Sequence, residues 1–357
     1  MHGLDALGWD RFFDEQIKCD ERARWTPARV VWEARERYRL STGDAEWRAE
    51  LAGRLRHDAA SGADLPVAGD WVLADLRPRE GGATIQRRLD RRTQFSRASA
   101  GRSTGEQVVA ANIDTVLLVT SLNRDFNLRR TERYLALAWE SGARPIIVLN
   151  KVDLCDDPDS WATEVASVAQ GVPVVISSGV RGDGLKELRE IVRAGGTTAL
   201  LGSSGVGKST IINALAADAR QDTVPIRADG RGRHATTSRQ LFCLQGGGIV
   251  IDTPGMRELQ LWDAERGLEH AFADVETFSA DCRYRDCSHG TEPGCAVVAA
   301  VERGDLPADR LESFQRLQRE NEFLRSRHDG SARADRTRQA KQTAKALKLQ
   351  DKLRDRR

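Results

Sequence analysis

The chain has 357 residues, is 40% hydrophobic and 30% charged, and carries a net charge of only +2, the composition of a soluble globular protein with two or three domains. No apolar run approaches the roughly eighteen residues that a membrane helix needs. The acidic start (Asp5, Asp10, Asp14, Glu15) excludes a signal peptide, so a cytoplasmic protein without a membrane partner is expected.

In chain order, residues 1–25 read as a short leader with Trp9, Phe12 and Phe13, suited to an amphipathic helix. Residues 26–105 carry short β-like runs, Ala28-Val31, Tyr38-Leu40, Trp71-Leu73 and Thr84-Leu89, separated by turn residues. That spacing predicts a small β-barrel. Arg87, Arg88, Arg91, Arg92 and Arg97 at its end suit nucleic-acid contact.

Residues 106–268 alternate between strands and helices. Strands are predicted at Thr115-Thr120, Pro145-Leu149, Val172-Ile176 and Thr198-Leu201, and helices at Arg130-Glu140, Ser160-Ala169, Leu185-Val192 and Ser209-Ala217. Leu241-Leu244 and Ile249-Ile251 form a hairpin pattern. Continuous apolar strands between helices imply an open, mostly parallel α/β sheet covered on both faces. Residues 269–325 read as helical. Residues 326–357 form a basic tail, either an arm for phosphate backbones or a solvated frayed helix.

Strand Thr198-Leu201 runs into Gly202-Ser203-Ser204-Gly205-Val206-Gly207-Lys208-Ser209, followed by Thr210, a full phosphate-loop pattern in strand–loop–helix context. The glycines let backbone N–H groups turn toward phosphate oxygens at a helix N-terminus. Lys208 is placed for the β- and γ-phosphates and Ser209 for Mg²⁺. Only eight lysines occur in the chain, and two of them, Lys151 and Lys208, fall in nucleotide motifs.

Asn150-Lys151-Val152-Asp153 ends the strand Pro145-Leu149. An aspartate there accepts from guanine N1–H and the 2-amino group, which adenine cannot match. Ser177 and Ser178 end the next strand and would complete the base pocket. This base-reading element precedes the phosphate loop, the inverse of the ordinary GTPase order, so the domain reads as circularly permuted. Asp252-Thr253-Pro254-Gly255 follows a strand as the D-x-x-G element, with Asp252 toward Mg²⁺ and the Gly255 N–H toward the γ-phosphate. Between them lies Arg231-Gly232-Arg233-His234-Ala235-Thr236-Thr237, the place of a first switch, where Thr236 and Thr237 both qualify as Mg²⁺ ligands. Met256 cannot orient water, which leaves His234 as the candidate, either for that role or as a loop histidine facing solvent or RNA. No arginine finger in cis is evident, so slow intrinsic turnover is expected.

Cys282-x4-Cys287-x-His289-x5-Cys295 offers three thiolates and one imidazole, a closed tetrahedral set for one structural Zn²⁺. Cys19, Cys155 and Cys243 are isolated and read as buried small apolar residues.

The inverted guanine motifs, the Gly232-Arg233-His234-x-Thr236-Thr237 loop and the cysteine–histidine spacing together resemble the ribosome small-subunit-dependent GTPase A family, over residues 1 to about 325. The resemblance implies a circularly permuted P-loop GTPase domain with an N-terminal OB-fold barrel and a C-terminal helical zinc-binding domain. It implies a monomer that binds GTP/GDP, the 30S ribosomal subunit and 16S rRNA. Its GTP hydrolysis would be stimulated by the subunit in late maturation and would time release. By the same resemblance Gly202 to Thr210 and Asn150 to Asp153 hold GTP, Cys282, Cys287, His289 and Cys295 hold zinc, and His234 is catalytic. Ala235 stands where the family usually has a third threonine. The competing reading is a nucleotide-gated rRNA-binding adaptor in which hydrolysis is incidental.

Overall fold

The computed structural model describes residues 3–34, 36–98, 106–123, 126–194, 196–217, 239–244, 247–252, 264–290 and 292–326, the side chains of Ala98, Ala217 and Asp252 excepted. Five strands near the N-terminus are β1 (Thr26–Ala34), β2 (Arg37–Ser41), β3 (Glu46–Leu51), β4 (Trp71–Arg77) and β5 (Gly82–Arg88). They neighbour one another in the order β1-β2-β3-β5-β4, and β4 returns to pair with β1, which closes a barrel. The β3–β5 pair is parallel and the other four are antiparallel, the OB-fold arrangement. Period-two alternation fills it: on β2, Tyr38 and Leu40 are buried while Arg37 and Arg39 are exposed.

The leader is not one amphipathic helix. It makes short helical turns at Asp5–Leu7, Arg11–Asp14 and Cys19–Arg22, and its Leu7 and Phe13 pack with Trp71 and Leu89 of the barrel. Burying each such side chain contributes about 1.5–3 kcal/mol, which fixes a segment with little regular structure. The arginines expected at a nucleic-acid surface are largely spent internally. Arg91 forms a buried ion pair with Asp70 at 2.8 Å, Arg87 reaches Glu21 at 2.9 Å, and Arg92 pairs with Asp10 at 2.5 Å. A hairpin of β6 (Gln94–Ala98) and β7 (Glu106–Ala111) follows the barrel.

The second part of the sheet comprises β8 (Thr115–Ser121), β9 (Arg144–Asn150), β10 (Val174–Ser177), β11 (Thr197–Leu201), β12 (Arg239–Cys243) and β13 (Ile249–Asp252). Their spatial order is β10-β9-β8-β11-β13-β12, parallel except for β12. Helices α1 (Leu128–Ser141), α2 (Pro158–Val168), α3 (Leu185–Ala194) and α4 (Lys208–Ala217) cover its two faces. On β8, Val116 and Leu118 join one core and Leu117 and Val119 the other. Burial on both faces explains why this strand reads as an unbroken apolar run.

From β8 the chain proceeds outward through β9 to β10, then returns to β11 and moves the other way. The strand order therefore reverses between β8 and β11, and in open α/β sheets that switch point forms the ligand crevice at the strand C-termini. The C-terminal helices are α5 (Glu265–Ala271), α6 (Ala273–Ser279), α7 (Ala296–Arg303) and α8 (308–326). Helix α5 lies directly against α1: a Cβ at Gly267 would fall 2.1 Å from the Ala136 carbonyl oxygen, so only glycine permits this approach. No described helix is long and apolar enough to cross a membrane.

Strand β12 also pairs with β1 of the barrel, Trp32 opposite Gln240 and Glu33 opposite Arg239, with an Arg239–Glu33 ion pair at 2.7 Å. Barrel and α/β core thus share one eleven-stranded sheet. Of the isolated cysteines, Cys19 and Cys243 are exposed and Cys155 is half-buried, contrary to the expectation of burial. Cys243 shares its face of β12 with buried Leu241 and is exposed as the last residue of the strand.

Candidate functional site

The crevice at the ends of β9, β10 and β11 gathers most of the residues singled out in the sequence. Leu201 closes β11, the loop 202–207 follows, and α4 begins at Lys208. Lys208 Nζ donates to the carbonyls of Gly202 at 2.5 Å and Ser203 at 2.7 Å, so the ammonium lies inside the curl of the loop. Ser204, Gly205, Ser209 and Thr210 are exposed, and Val206 is buried beneath them. A loop whose amides open to solvent at a helix N-terminus is an anion cradle.

Asn150, 2% exposed at the end of β9, fastens three segments. Its Nδ2 donates to the Val206 carbonyl at 2.8 Å, while Oδ1 accepts from the Ser177 hydroxyl and the Gly179 N–H, both at 3.2 Å. Leaving such a buried amide unpaired costs about 1–3 kcal/mol. Gly207 must be glycine beside it: its φ is +100°, and a Cβ would lie 2.2 Å from Asn150 Nδ2.

Lys151 adopts a left-handed φ of +66°, which turns the chain at once into the 3₁₀ turn Val152–Leu154. Such backbone costs about 1–3 kcal/mol and persists where surrounding structure demands it. Val152 packs partly into the main core. The Ser178 hydroxyl donates to Asp153 Oδ1 at 2.6 Å and accepts from the Arg181 N–H at 3.0 Å. That bond from Ser178 holds the Asp153 carboxyl below its ordinary pKa and keeps it an acceptor. Ser177 and Ser178 are both fully buried, so their hydroxyls are fixed.

The structure thus brings together Asn150, Lys151, Val152, Asp153, Ser177, Ser178 and the whole of 202–210. Strand β13 ends at Asp252 beside β11. The Asp252 side chain, His234, Thr236, Thr237, Gly255, Met256 and the basic tail beyond residue 326 lie outside the described residues.

Two residues at the crevice were missed in the sequence. Arg130 Nη1 donates to Ser203 Oγ at 2.8 Å, and the Tyr134 hydroxyl lies 3.5 Å from the same oxygen. Both sit on α1, one helical turn apart, whose first turn is capped by Asn127 accepting from the Arg130 N–H. Arg130 thus stands in cis beside the phosphate loop with its guanidinium on the Ser203 hydroxyl, a contact to the loop itself and not an arginine finger on phosphate. The only sequence signal was their i, i+4 spacing, which says nothing about a partner in a loop seventy residues later.

The second cluster is Cys282, Cys287, His289 and Cys295, whose ligand atoms all lie within 4.8 Å of one another. Cys282 Sγ and Cys295 Sγ are 3.9 Å apart, and His289 Nδ1 lies 3.7 Å and 3.6 Å from them. A tetrahedral zinc, with bonds of about 2.3 Å to sulfur and about 2.0 Å to nitrogen, needs edges of about 3.8 and 3.5 Å. The donor set fits. Burial alone would raise the Cys282 thiol, but the Val297 and Ala296 N–H groups at the start of α7 outweigh it and lower its pKa. Burial pushes Cys287 up to about 11, and burial lowers His289, favouring the neutral imidazole that a metal requires. Gln315 of α8 donates to the His289 carbonyl at 2.6 Å and ties the cluster to the last helix.

Comparison with known proteins supplies relatives. The RsgA GTPase family model matches residues 88–262. The small ribosomal subunit biogenesis GTPase RsgA of Opitutus terrae is 47% identical over 346 residues, covering 94% of both chains. Its counterpart in Syntrophotalea carbinolica is 45% identical over 320 residues, 87% of each. Among solved structures, YjeQ from Thermotoga maritima aligns with a TM-score of 0.62 at 27% identity, over 83% of this chain and 98% of that one. YloQ, described as a circularly permuted GTPase, aligns at 0.59 and 22% identity over 86% and 98% and supports the fold.

Proposed function

Because the chain belongs to the RsgA GTPase family, enzymes that hydrolyse GTP in ribosome biogenesis, we propose that it docks on the small ribosomal subunit and hydrolyses GTP there late in maturation. Hydrolysis, stimulated by the subunit, would time release. The observation that carries this reading is the three-way fastening at Asn150, which locks the base-reading turn and the Ser177–Gly179 segment onto the phosphate loop.

In this reading the amides of 202–207 cradle the phosphates, and Lys208 exchanges the Gly202 and Ser203 carbonyls for β- and γ-phosphate oxygens. Asp153, held ionised by Ser178, accepts from the guanine N1–H and 2-amino group, while Lys151 lies along the purine. Ser209 and Asp252 would hold Mg²⁺, which neutralises charge developing on the phosphates. Thr236, Thr237 and Gly255 would close on the γ-phosphate, with His234 positioning the water. Cys282, Cys287, His289 and Cys295 would hold a structural zinc whose chemistry is to clamp a region with short helices. The barrel and the C-terminal helices would face 16S rRNA in the cytoplasm, with the protein acting as a monomer.

The test is phosphate release from GTP by the full chain with and without purified 30S subunits. The subunit should raise kcat, and His234→Ala should remove most of that rise while sparing nucleotide affinity. Equal rates with and without subunits would overturn the reading.

A further inference from the structure

The first two turns of α1 touch two places at once. On one side Arg130 and Tyr134 reach Ser203 in the phosphate loop. On another, Arg129, Glu132 and Arg133 engage α8. Arg129 pairs with Asp309 and with Glu132, and Glu132, fully buried, accepts from Arg310 at 2.8 Å and from the Ser313 hydroxyl. Arg133 makes a double contact with Glu320, one bond at 2.9 Å.

These contacts continue to the cysteine–histidine cluster. Arg310 also holds Asp274 of α6 through two bonds at 2.9 Å and covers the Phe272 ring at 4.1 Å. Gln315, on the same helix, holds the His289 backbone. Of the charged side chains along this route Glu132 and Arg310 are buried, and that pair cannot slip apart without leaving a charge unpaired.

At the loop, Ser203 is held twice, its carbonyl by Lys208 and its hydroxyl by Arg130. If Lys208 turns to a phosphate, Arg130 remains the holder of this peptide. Arg130 and Arg133 are i and i+3 on one capped helix, so the loop contact and the α8 contact share a single rigid segment.

We propose that Arg130 is a positioning residue for GTP hydrolysis, acting through Ser203, and that the first two turns of α1 transmit the placement of the cysteine–histidine region to the phosphate loop. The proposal rests on reading 202–210 as the nucleotide loop. By this route a macromolecule seated on the C-terminal helices alters turnover.

The experiment uses the full chain without ribosomal subunits, so that its outcome is independent of subunit binding. GTP and GDP affinities, intrinsic kcat and KM are measured for Arg130→Ala, Arg130→Lys, Ser203→Ala, Arg133→Glu, Glu320→Arg and the Arg133→Glu/Glu320→Arg exchange. Each far-end single change is expected to alter kcat or the GTP-to-GDP affinity ratio by about threefold to tenfold, with KM moving less. The exchange should restore both within about twofold. In an Arg130→Ala background the far-end changes should become silent, and Arg130→Lys should rescue in part. If an exchanged variant does not fold, the cycle between Ser203→Ala and Glu320→Ala serves instead. Far-end changes without effect on kcat and the affinity ratio, or effects that multiply independently of Arg130, overturn the proposal. Lys208→Ala is the separate control: GTP affinity that survives it would remove the nucleotide-loop reading itself.

Discussion

The Arg29 guanidinium donates to the Thr197 hydroxyl at 2.8 Å, joining the first barrel strand to the strand that feeds the phosphate loop, 168 residues away. The same side chain donates to the carbonyls of Gly69 at 3.2 Å, Asn112 at 3.1 Å and Leu7 of the leader, and it lies over Trp71. It is 1% exposed, and burial lowers its pKa to about 10, with Asp114 opposing. One fork therefore meets leader, barrel and core.

Arg29→Met should destabilise the protein by about 3 kcal/mol or more, because it leaves several buried acceptors without donors. Arg29→Lys should recover little, since an ammonium cannot span four directions. Urea melts followed by tryptophan fluorescence measure this. A loss below about 1 kcal/mol for Arg29→Met would mean that the junction is held by its apolar contacts instead.

Ser178→Ala should raise the Asp153 pKa toward the ordinary carboxylate value. The sign follows from the depression: a lowered folded pKa favours the ionised form, and that benefit is present above the unfolded pKa and lost as pH falls through the folded one. Without the Ser178 donor the depression shrinks, and the stabilisation above the unfolded pKa shrinks with it. A carbon NMR titration of the Asp153 carboxyl in both proteins reads the midpoint, and an unchanged midpoint contradicts the assignment. Asp153→Asn, by contrast, should move base preference from GTP toward XTP.

Cys295→Ser should cost about one zinc equivalent per chain and open the C-terminal helices to protease. Metal analysis of the purified protein and limited proteolysis report the two effects. The Cys295 sulfur also accepts from the Val298 N–H as the cap of α7, a role a serine hydroxyl keeps, so the change isolates the loss of the metal ligand. Unchanged zinc content would exclude Cys295 as a ligand.

Local pattern made much of this molecule legible. The strands from Thr115 to Leu201 announce themselves because both their faces are buried, and the Gly-Lys-Ser loop because its glycines have a backbone reason. The barrel was harder. Strand β3, Glu46–Leu51, is hard to read because its outer positions are charged and two of its three inner ones, Trp47 and Ala49, are only half-buried. Arg91 read as a surface cation because composition cannot reveal that Asp70 waits beneath it. The reach of Arg130 to Ser203 depends on how helix packs on sheet, which no local period encodes. The β1–β12 pairing was equally hidden, since docking of one sheet edge on another fixes it.

That pairing has a consequence for how such a chain can change over generations. Strand β12 has β13 on one side and β1 on the other, so neither module owns it. An α/β core made without the barrel would expose the Arg239-Gln240 backbone as a raw sheet edge, an invitation to stick to copies of itself. The barrel therefore cannot be shuffled out like a cassette. The two halves must drift together, each acting as the other's edge protection.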